Sequence, residues 1–228
     1  MDTLALLQGL RFVDSFFPSG SYAYSSGLEA TVQGGAVKDS SQLARYVEDL
    51  LRGGISRRET VAVAVAHKAS MAGKVQPALA IDAELDSMKM GRESRLASRQ
   101  MGRQVIRVAV EEFEGDAVVR QFHAKVEEGH TPGHLPVCIG LTLAACGWTR
   151  QEAVVAYLYH TAVGFVSAAM KLLPIGQREG QRLLAEWSPL LTELSRHAVS
   201  RSVMVSWSPV QDIYAMRHAT LESRLFRS

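Results

Sequence analysis

Two histidines and a cysteine recur at every fourth position of one segment, EEGHTPGHLPVC. His130, His134 and Cys138 offer two imidazoles and a thiol, a ligand set that suits zinc or nickel. The prolines and glycine between them indicate a loop, so the three side chains need not share a face, and no fourth ligand is apparent. A metal carrier or metalloenzyme is therefore one alternative, and a packing or helix-entry role for His134 is the simpler interpretation.

A second stretch, DSFFPSGSYAYSSGLE at residues 14–29, combines glycines, serines and aromatic rings. The backbone N–H groups of a glycine-rich segment ahead of a helix can bind phosphate. No lysine follows these glycines and no apolar strand precedes them, so a nucleotide-binding loop is disfavoured. We expect a broken loop that leads into a helix near Tyr22. The rings that pack on the core or contact a partner are Phe16, Phe17, Tyr22 and Tyr24.

Arginines recur at spacings of three or four residues in RESRLASRQMGRQVIR. This spacing places them along one face of a helix. Such a row is usually a solvated or subunit-facing surface, and a phosphate-binding face is the alternative. The row comprises Arg92, Arg95, Arg99, Arg103 and Arg107.

Motifs for covalent catalysis are missing from the sequence. It contains no G-x-S-x-G turn, no catalytic cysteine signature and no pair of carboxylates in an obvious cleft. Enzyme classes that rely on these motifs are therefore disfavoured.

The composition is that of an ordinary globular protein. The chain has 228 residues, of which 47% are apolar and 21% charged, and its formal net charge is +2. This bias is too small to imply nucleic-acid binding. The N-terminal residues do not resemble a secretory signal, and the longest apolar stretches fall short of a convincing membrane span. With only two cysteines, Cys138 and Cys146, we expect free thiols in a soluble, cytoplasmic protein that binds neither nucleic acid nor membrane.

Apolar periodicity and capping signals predict helices along most of the chain. The segment SSQLARYVEDLLRGG indicates a helix that is capped by Asp39 or Ser40 and ends at Gly53. A capping box of Thr149 and Glu152 opens a long apolar helix. Further helices are predicted for residues 78–90, 92–113 and 117–127, and for a segment with Ser208 as its N-cap.

The segment TVAVAVAHKA suits a strand as well as a helix. Its alternation is apolar with apolar, and nothing nearby offers a hairpin partner, so a buried helix is predicted. No repeat, low-complexity tract or linker divides the chain. The sequence therefore predicts an all-α fold, in which residues 1–228 form a single globular bundle of about eight to ten helices.

Two segments resist a purely structural interpretation. Lys171 places a charge at the end of an apolar helix, where its simplest role is to complement the helix dipole. The terminus LESRLFRS holds Leu225 and Phe226 between two arginines, although chain ends rarely need an aromatic anchor. We expect residues 221–228 to be mobile in the free protein, with Phe226 buried only by a partner.

Three motifs together resemble the UreF family of urease accessory proteins, and the similarity runs from about Leu4 to Ser228. The motifs are FPSGSYAYSSGLE, the turn KLLPIGQ and the terminal residues RLFRS. The resemblance implies an all-α protein that has no catalytic activity or cofactor of its own and that forms a homodimer. It also implies three partners: the scaffold UreD, also called UreH, the GTPase UreG, and apo-urease, which receives nickel when GTP is hydrolysed.

The family's functional positions map onto this chain residue by residue. Lys171 corresponds to the basic residue tied to control of the GTPase, and the C-terminal segment corresponds to the part associated with the scaffold. The chain departs from the family at Ala219, where an acid is common, and at Phe16 and Phe17, which add rings before Pro18. The residues expected to bind partners are Pro18, Gly20, Tyr22, Tyr24, Glu29, Lys171, Pro174, Gly176, Gln177, Arg217, His218, Arg224, Leu225, Phe226 and Arg227.

Overall fold

Eleven α-helices form between residues 2 and 227, the part of the chain that the computed structural model describes, and no β-strand occurs among these residues. The all-α prediction is confirmed, with one helix more than expected. Met1 and Ser228, which the predicted domain included, lie outside the described residues. The helices are α1 (Thr3–Val13), α2 (Leu28–Gln33), α3 (Ser40–Leu50), α4 (Glu59–Met71), α5 (Gln76–Met88), α6 (Arg92–Glu112), α7 (Ala117–Glu127), α8 (Leu135–Ala145), α9 (Arg150–Leu172), α10 (Gln177–Ala198) and α11 (Pro209–Arg217).

Helix α8 occupies the centre of the bundle. It is apolar along its length, and every residue from Leu135 to Ala144 is buried. A helix that is hydrophobic on all sides needs neighbours on all sides, and α4, α6 and α9 pack against it. Gly140 allows the close approach of α4, because a side chain at this position would collide with the Val63 carbonyl oxygen.

The segment TVAVAVAHKA lies in α4 and is helical, as predicted. Nearly all of its residues are buried, because α4 packs against α5, α8 and α9. The alternation of valine and alanine therefore reflects packing on several sides and not the two faces of a strand. Small alanines leave room for neighbouring helices to approach closely.

Local capping signals are reproduced at two helix starts. Asp39 accepts a hydrogen bond from the Gln42 N–H at 2.8 Å, which caps α3. Thr149 and Glu152 form both hydrogen bonds of the capping box at the start of α9. Helix α7 also begins and ends at the predicted residues.

Two boundary predictions are wrong because tertiary contacts override the local signal. Gly53 does not end the helix, since the chain continues after α3 through a π-helical turn, Leu51–Ile55. The Gly53 carbonyl oxygen accepts a hydrogen bond from the Trp207 N–H at 3.0 Å. A side chain at position 53 would lie 2.5 Å from the Trp207 carbonyl oxygen. Ser208 makes no capping hydrogen bond to α11, and its buried hydroxyl packs against Gly54.

Helix α9 is long and apolar enough to cross a membrane, judged by length and composition alone. Half of its most apolar window is buried inside the fold. Helix α9 packs against α4, α8 and α10, as a core helix does.

Candidate functional site

Three segments that are far apart in the sequence meet on one face of the bundle: the N-terminal loop, the end of α9 and the tail after α11. Nζ of Lys171 lies 5.2 Å from the centroid of the Phe226 ring and 3.5 Å from the Tyr22 carbonyl oxygen. The Arg227 N–H donates to the Ala23 carbonyl oxygen at 2.8 Å. We call the accessible part of this face the composite surface, and its side chains are Tyr22, Tyr24, Lys171, Arg224 and Leu225.

A buried carboxylate, Glu29, holds the tail against the N-terminal loop. The Leu225 N–H donates to its Oε1 at 2.6 Å, and the Phe226 N–H donates to its Oε2 at 3.1 Å. Burial alone would raise the pKa of Glu29, but hydrogen bonds from Leu225, His218 and Phe226 outweigh it and hold the pKa below its ordinary value. The carboxylate is therefore ionised at neutral pH and binds the chain end through charge-assisted hydrogen bonds.

His218 is fully buried between two carboxylates. Its Nε2 lies 2.9 Å from Oε2 of Glu29, and its Nδ1 lies 2.7 Å from Oε2 of Glu93. Each ring nitrogen of His218 therefore has a carboxylate oxygen as its hydrogen-bond partner. Arg224 donates from Nη1 to Oε1 of Glu93 at 3.0 Å. These four side chains and the backbone N–H groups of Leu225 and Phe226 form a unit that we call the tail clasp.

The tail differs from its prediction. Phe226 is 5% exposed, whereas its neighbour Leu225 is 62% exposed. The expectation that only a partner would bury Phe226 is therefore wrong, because the ring joins this chain's own core. A buried ring and hydrogen bonds to an ionised carboxylate offset the entropy lost when a chain end is ordered. The mobility expected for residues 221–228 of the free protein stays a prediction.

Comparison with known proteins assigns the chain to a family. A model of the UreF family matches residues 37–188. Urease accessory protein UreF of Dechloromonas aromatica is 33% identical over 99% of this chain and 98% of its own length. The protein of the same name from Methylorubrum populi is 31% identical over 97% of this chain and 98% of its own length. The chain belongs to the UreF family.

The resemblance noted in the sequence is thereby confirmed. The matched range 37–188 contains Lys171 but neither the first motif nor the tail. The relatives cover nearly the whole chain, and a UreF of a Bacillus species, 28% identical, covers 98% of it. The composite surface therefore lies within the similarity to full-length UreF proteins.

The UreF resemblance suggested further partner-binding residues, and these lie close in sequence to residues of the composite surface. The turn around Pro18 requires Gly20, whose φ of 79° lies in the left-handed region that glycine adopts without strain. Pro174 and Gly176 are exposed in the turn between α9 and α10, and Gln177, also exposed, is the first residue of α10. Arg217 ends α11, and its guanidinium carbon lies 5.8 Å from the centroid of the Tyr214 ring.

The three residues considered as metal ligands are not brought together. His130 is exposed and hydrogen-bonds with Glu128, whereas Cys138 is buried in α8, where burial raises the pKa of its thiol well above the ordinary value. His134 is fully buried, and its burial and the charge of Lys89 lower its pKa to about 4. Within residues 2–227 no group of three histidine, cysteine, aspartate or glutamate side chains could hold a metal ion. The metal-site alternative is wrong for these residues, and His134 has the packing role.

Two carboxylates that the sequence interpretation missed organise this part of the UreF fold. Glu93 shows no local signal beyond being an acid in an arginine-rich helix, because its partners in the tail lie 125 and 131 positions away. Asp82 accepts hydrogen bonds from the Thr131 hydroxyl at 2.7 Å, from the Gly133 N–H at 2.7 Å and from the His134 N–H at 2.9 Å. It thereby fixes the loop ahead of α8. We call the unit of Asp82, Asp86, Ser98 and residues 131–134 the loop joint.

A separate buried ion cluster connects α4 to the link between α5 and α6. Glu59 accepts hydrogen bonds from Lys89 and, at 2.6 Å, from the Tyr157 hydroxyl, and Arg58 lies 3.7 Å away. Burial alone would raise the pKa of Glu59, but the charges of Lys89 and Arg58 outweigh it and lower the pKa to about 2. The ionised Glu59 thereby links α4 to the segment between α5 and α6.

Proposed function

We propose that this chain is a non-enzymatic, cytoplasmic adaptor of urease maturation that bridges the UreD/UreH scaffold and the GTPase UreG. In this role it couples GTP hydrolysis on UreG to the insertion of nickel into apo-urease. In this assembly nickel is the metal delivered and GTP is the nucleotide that UreG hydrolyses, whereas this chain supplies protein–protein contacts. Membership of the UreF family supports the proposal, since its relatives are named as urease accessory proteins.

The observation that carries the proposal is the meeting of the first motif, Lys171 and the tail on the composite surface. Tyr22 is 75% exposed and Leu225 is 62% exposed. The same surface carries two basic side chains, Lys171 and Arg224. Exposed aromatic and arginine side chains around apolar ones are typical of protein interfaces. The resemblance relates Lys171 to the GTPase and the C-terminal segment to the scaffold. Both lie on this face, so one surface of the adaptor can contact both partners.

Reconstitution tests this function. Apo-urease, UreD/UreH, UreG, nickel and GTP are combined with and without this chain, and urease activity and GTP hydrolysis are measured. We expect activation only when the chain is present, and no GTP hydrolysis by the chain alone, since it lacks a phosphate loop. Full activation without the chain, or failure to co-purify with both UreD/UreH and UreG, would refute the adaptor role.

A surface variant locates the contact. Replacing Leu225→Asp puts a charge on the composite surface without touching a side chain of the tail clasp, and we expect affinity for a partner to fall at least about tenfold, or ~1.4 kcal/mol. Met71→Asp is the matched control, since Met71 is 68% exposed and lies at the end of α4. Equal affinities for the two variants would place the contact elsewhere.

We also propose that the protein is a homodimer. A strip of apolar side chains on and before α11 is exposed to solvent, and tryptophan and methionine are enriched at interfaces. Light scattering should give about twice the chain mass of 24.9 kDa, and Trp207→Asp should shift the mass toward that of one chain. A single-chain mass for the unaltered protein at micromolar concentration would contradict the dimer. The strip comprises Val203, Val205, Trp207, Val210, Ile213 and Met216.

A further inference from the structure

A groove borders the composite surface on the side of α6. Its volume is about 590 Å³, and it lies between the turn at residues 18–20 and the outer face of α6. Helix α6 contributes Arg99, Arg103 and Leu96, which is 48% exposed. The opposite wall is open at Gly20, because no atom lies within 4 Å of the place where a side chain would begin. We call this feature the arginine groove.

Most arginines of α6 lack an acidic partner. Only Arg99 is paired, with its Nε donating to Asp86 at 2.8 Å. Glu93, in the first turn of α6, has both oxygens engaged in the tail clasp. Among the arginines of α6, those without an ion pair to any of residues 2–227 are Arg92, Arg95, Arg103 and Arg107.

The free donors of this row are accessible. Arg103 is exposed and uses its Nε to donate to the Pro132 carbonyl oxygen at 3.2 Å, which holds the side chain in place. Arg107, one turn further along, is exposed and hydrogen-bonds only with Gln104. A guanidinium that is already oriented loses less side-chain entropy when it binds a carboxylate. The row therefore offers fixed positive charge to a negatively charged ligand.

The groove is continuous with the composite surface. The Tyr24 hydroxyl donates to Oε1 of Gln100 at 2.8 Å, and this bond links the N-terminal loop to the floor of the groove. A partner that covers the composite surface therefore reaches the groove without a gap. Electrostatic complementarity of this kind sets the orientation and the association rate of a complex.

The chemistry of the groove favours a polypeptide over a nucleic acid. The formal net charge of the chain is only +2, well below the positive charge typical of a nucleic-acid-binding domain. Leu96 adds an exposed apolar side chain between the arginines, which suits a protein side chain and not a phosphate backbone.

We propose that the arginine groove binds an acidic segment of a partner protein in the urease maturation assembly. Carboxylates of that segment pair with Arg103 and Arg107, and an apolar side chain of the segment packs on Leu96. This inference rests on the proposed adaptor function, and it adds the chemistry that the partner must present.

Charge reversal tests the proposal with the partner proteins themselves. The affinities of the chain for UreG and for UreD/UreH are measured over a range of salt concentrations. We expect the double variant Arg103→Glu/Arg107→Glu to weaken binding of one partner at least about tenfold and to reduce the dependence on salt. Arg103→Lys/Arg107→Lys should retain most of the affinity. Arg196→Glu, at an exposed arginine of α10, is the matched control and should bind normally.

Cross-linking identifies the occupant. The amines introduced by Arg103→Lys/Arg107→Lys can be joined to carboxylates by a carbodiimide, which forms an amide only between groups in contact. Mass spectrometry should find these positions linked to a peptide of the partner that contains aspartate or glutamate.

Three results would overturn the proposal. The first is partner affinity that charge reversal leaves unchanged, and the second is the absence of any cross-link to the partner. The third is a single-stranded DNA oligonucleotide that binds the chain and loses its affinity on charge reversal while partner affinity stays constant, since the occupant is then a nucleic acid. In all three cases the chain still binds its partners, which distinguishes them from a failure of the adaptor function.

Discussion

The loop joint and the tail clasp are each built around a fully buried histidine, but the two histidines have different hydrogen-bond partners. Nε2 of His134 donates to Asp86 at 2.9 Å, and its Nδ1 accepts from the Ser98 hydroxyl at 3.1 Å. One N–H satisfies both partners, so His134 is neutral. His218 instead faces a carboxylate with each of its two nitrogens.

The difference follows from what each histidine connects. The partners of the loop joint lie within 52 positions of each other and fix the loop before the central helix α8. In the tail clasp, His218 and Glu29 are 189 positions apart, and their pairing joins the two ends of the chain. The loop joint therefore stabilises the core, whereas the tail clasp stabilises a surface. Disturbing the first should weaken the whole fold, and disturbing the second should mainly release the tail.

Asp82→Ala should have the largest effect on stability. It removes the acceptor of three buried donors, and each orphaned donor costs about 1–3 kcal/mol. We expect the free energy of unfolding to fall by about 3–5 kcal/mol, measured by urea denaturation. Asp49→Ala, at an exposed aspartate of α3, is the control and should change little. A loss below about 1 kcal/mol for Asp82→Ala would show that the loop joint is not a core element.

His218→Ala should cost slightly less and act locally. It leaves two carboxylates facing each other without the imidazole between them, a change worth about 2–4 kcal/mol. Hydrogen exchange should show fast exchange at residues 219–227, while α4 and α8 stay protected. His197→Ala, at an exposed histidine of α10, should leave the tail protected. Equal loss of protection in the core and the tail would mean that the two regions unfold together, against the comparison drawn here.

What the sequence could reveal depends on the distance between interacting residues. The cap at Asp39 and the capping box at Thr149 involve residues within three positions, so their side chains alone define them. The capping signal at Ser208 was misleading, because its hydroxyl packs against Gly54 and makes no hydrogen bond to the start of α11. Local patterns thus predicted most helices, and they failed where distant residues compete for the same atoms.

The candidate site was predictable in composition but not in arrangement. Motif resemblance indicated Glu29, Lys171 and His218, yet nothing local shows that they lie within one cluster of contacts. Phe226 was misjudged for the same reason, since its burial depends on Lys171 and on backbone hydrogen bonds to Glu29. Glu93 was missed, because an isolated acid in a basic row gives no sign of a partner in the tail.

The pH dependence of stability should identify the neutral histidine. Because the folded pKa of His134 is about 4 and its ordinary value is 6.5, the unfolded chain binds the proton first. Its contribution is complete above about pH 6.5 and is lost as the pH falls toward 4, by up to ~3 kcal/mol. His67 and His160 also have lowered pKa values because of burial, so they add to the same slope.

A variant separates the contribution of His134 from the others. Urea denaturation at pH 7.5 and pH 5 should show a drop in unfolding free energy that is smaller by about 2 kcal/mol in His134→Gln than in the unaltered chain. Glu59 does not interfere, since its contribution is lost only below its ordinary value of 4.5. Identical drops in the two proteins would mean that the fold does not lower the pKa of His134, and the loop joint would then not hold this histidine neutral.

Lys171→Ala should change stability least and function most, which separates the composite surface from the tail clasp beneath it. The ammonium is exposed, and its interactions with the helix end and with the Phe226 ring each contribute only about 0.3–1 kcal/mol. The variant should therefore lose about 1 kcal/mol at most in urea denaturation, while urease activation in the reconstituted assembly should be lost and restored by Lys171→Arg. Lys68→Ala is the matched control, because Lys68 is also exposed in the last turn of a helix, α4, and it should preserve both stability and activation. If Lys171→Ala lost several kcal/mol while activation persisted, Lys171 would belong to the tail clasp as a structural residue, and the composite surface would need another contact with the GTPase.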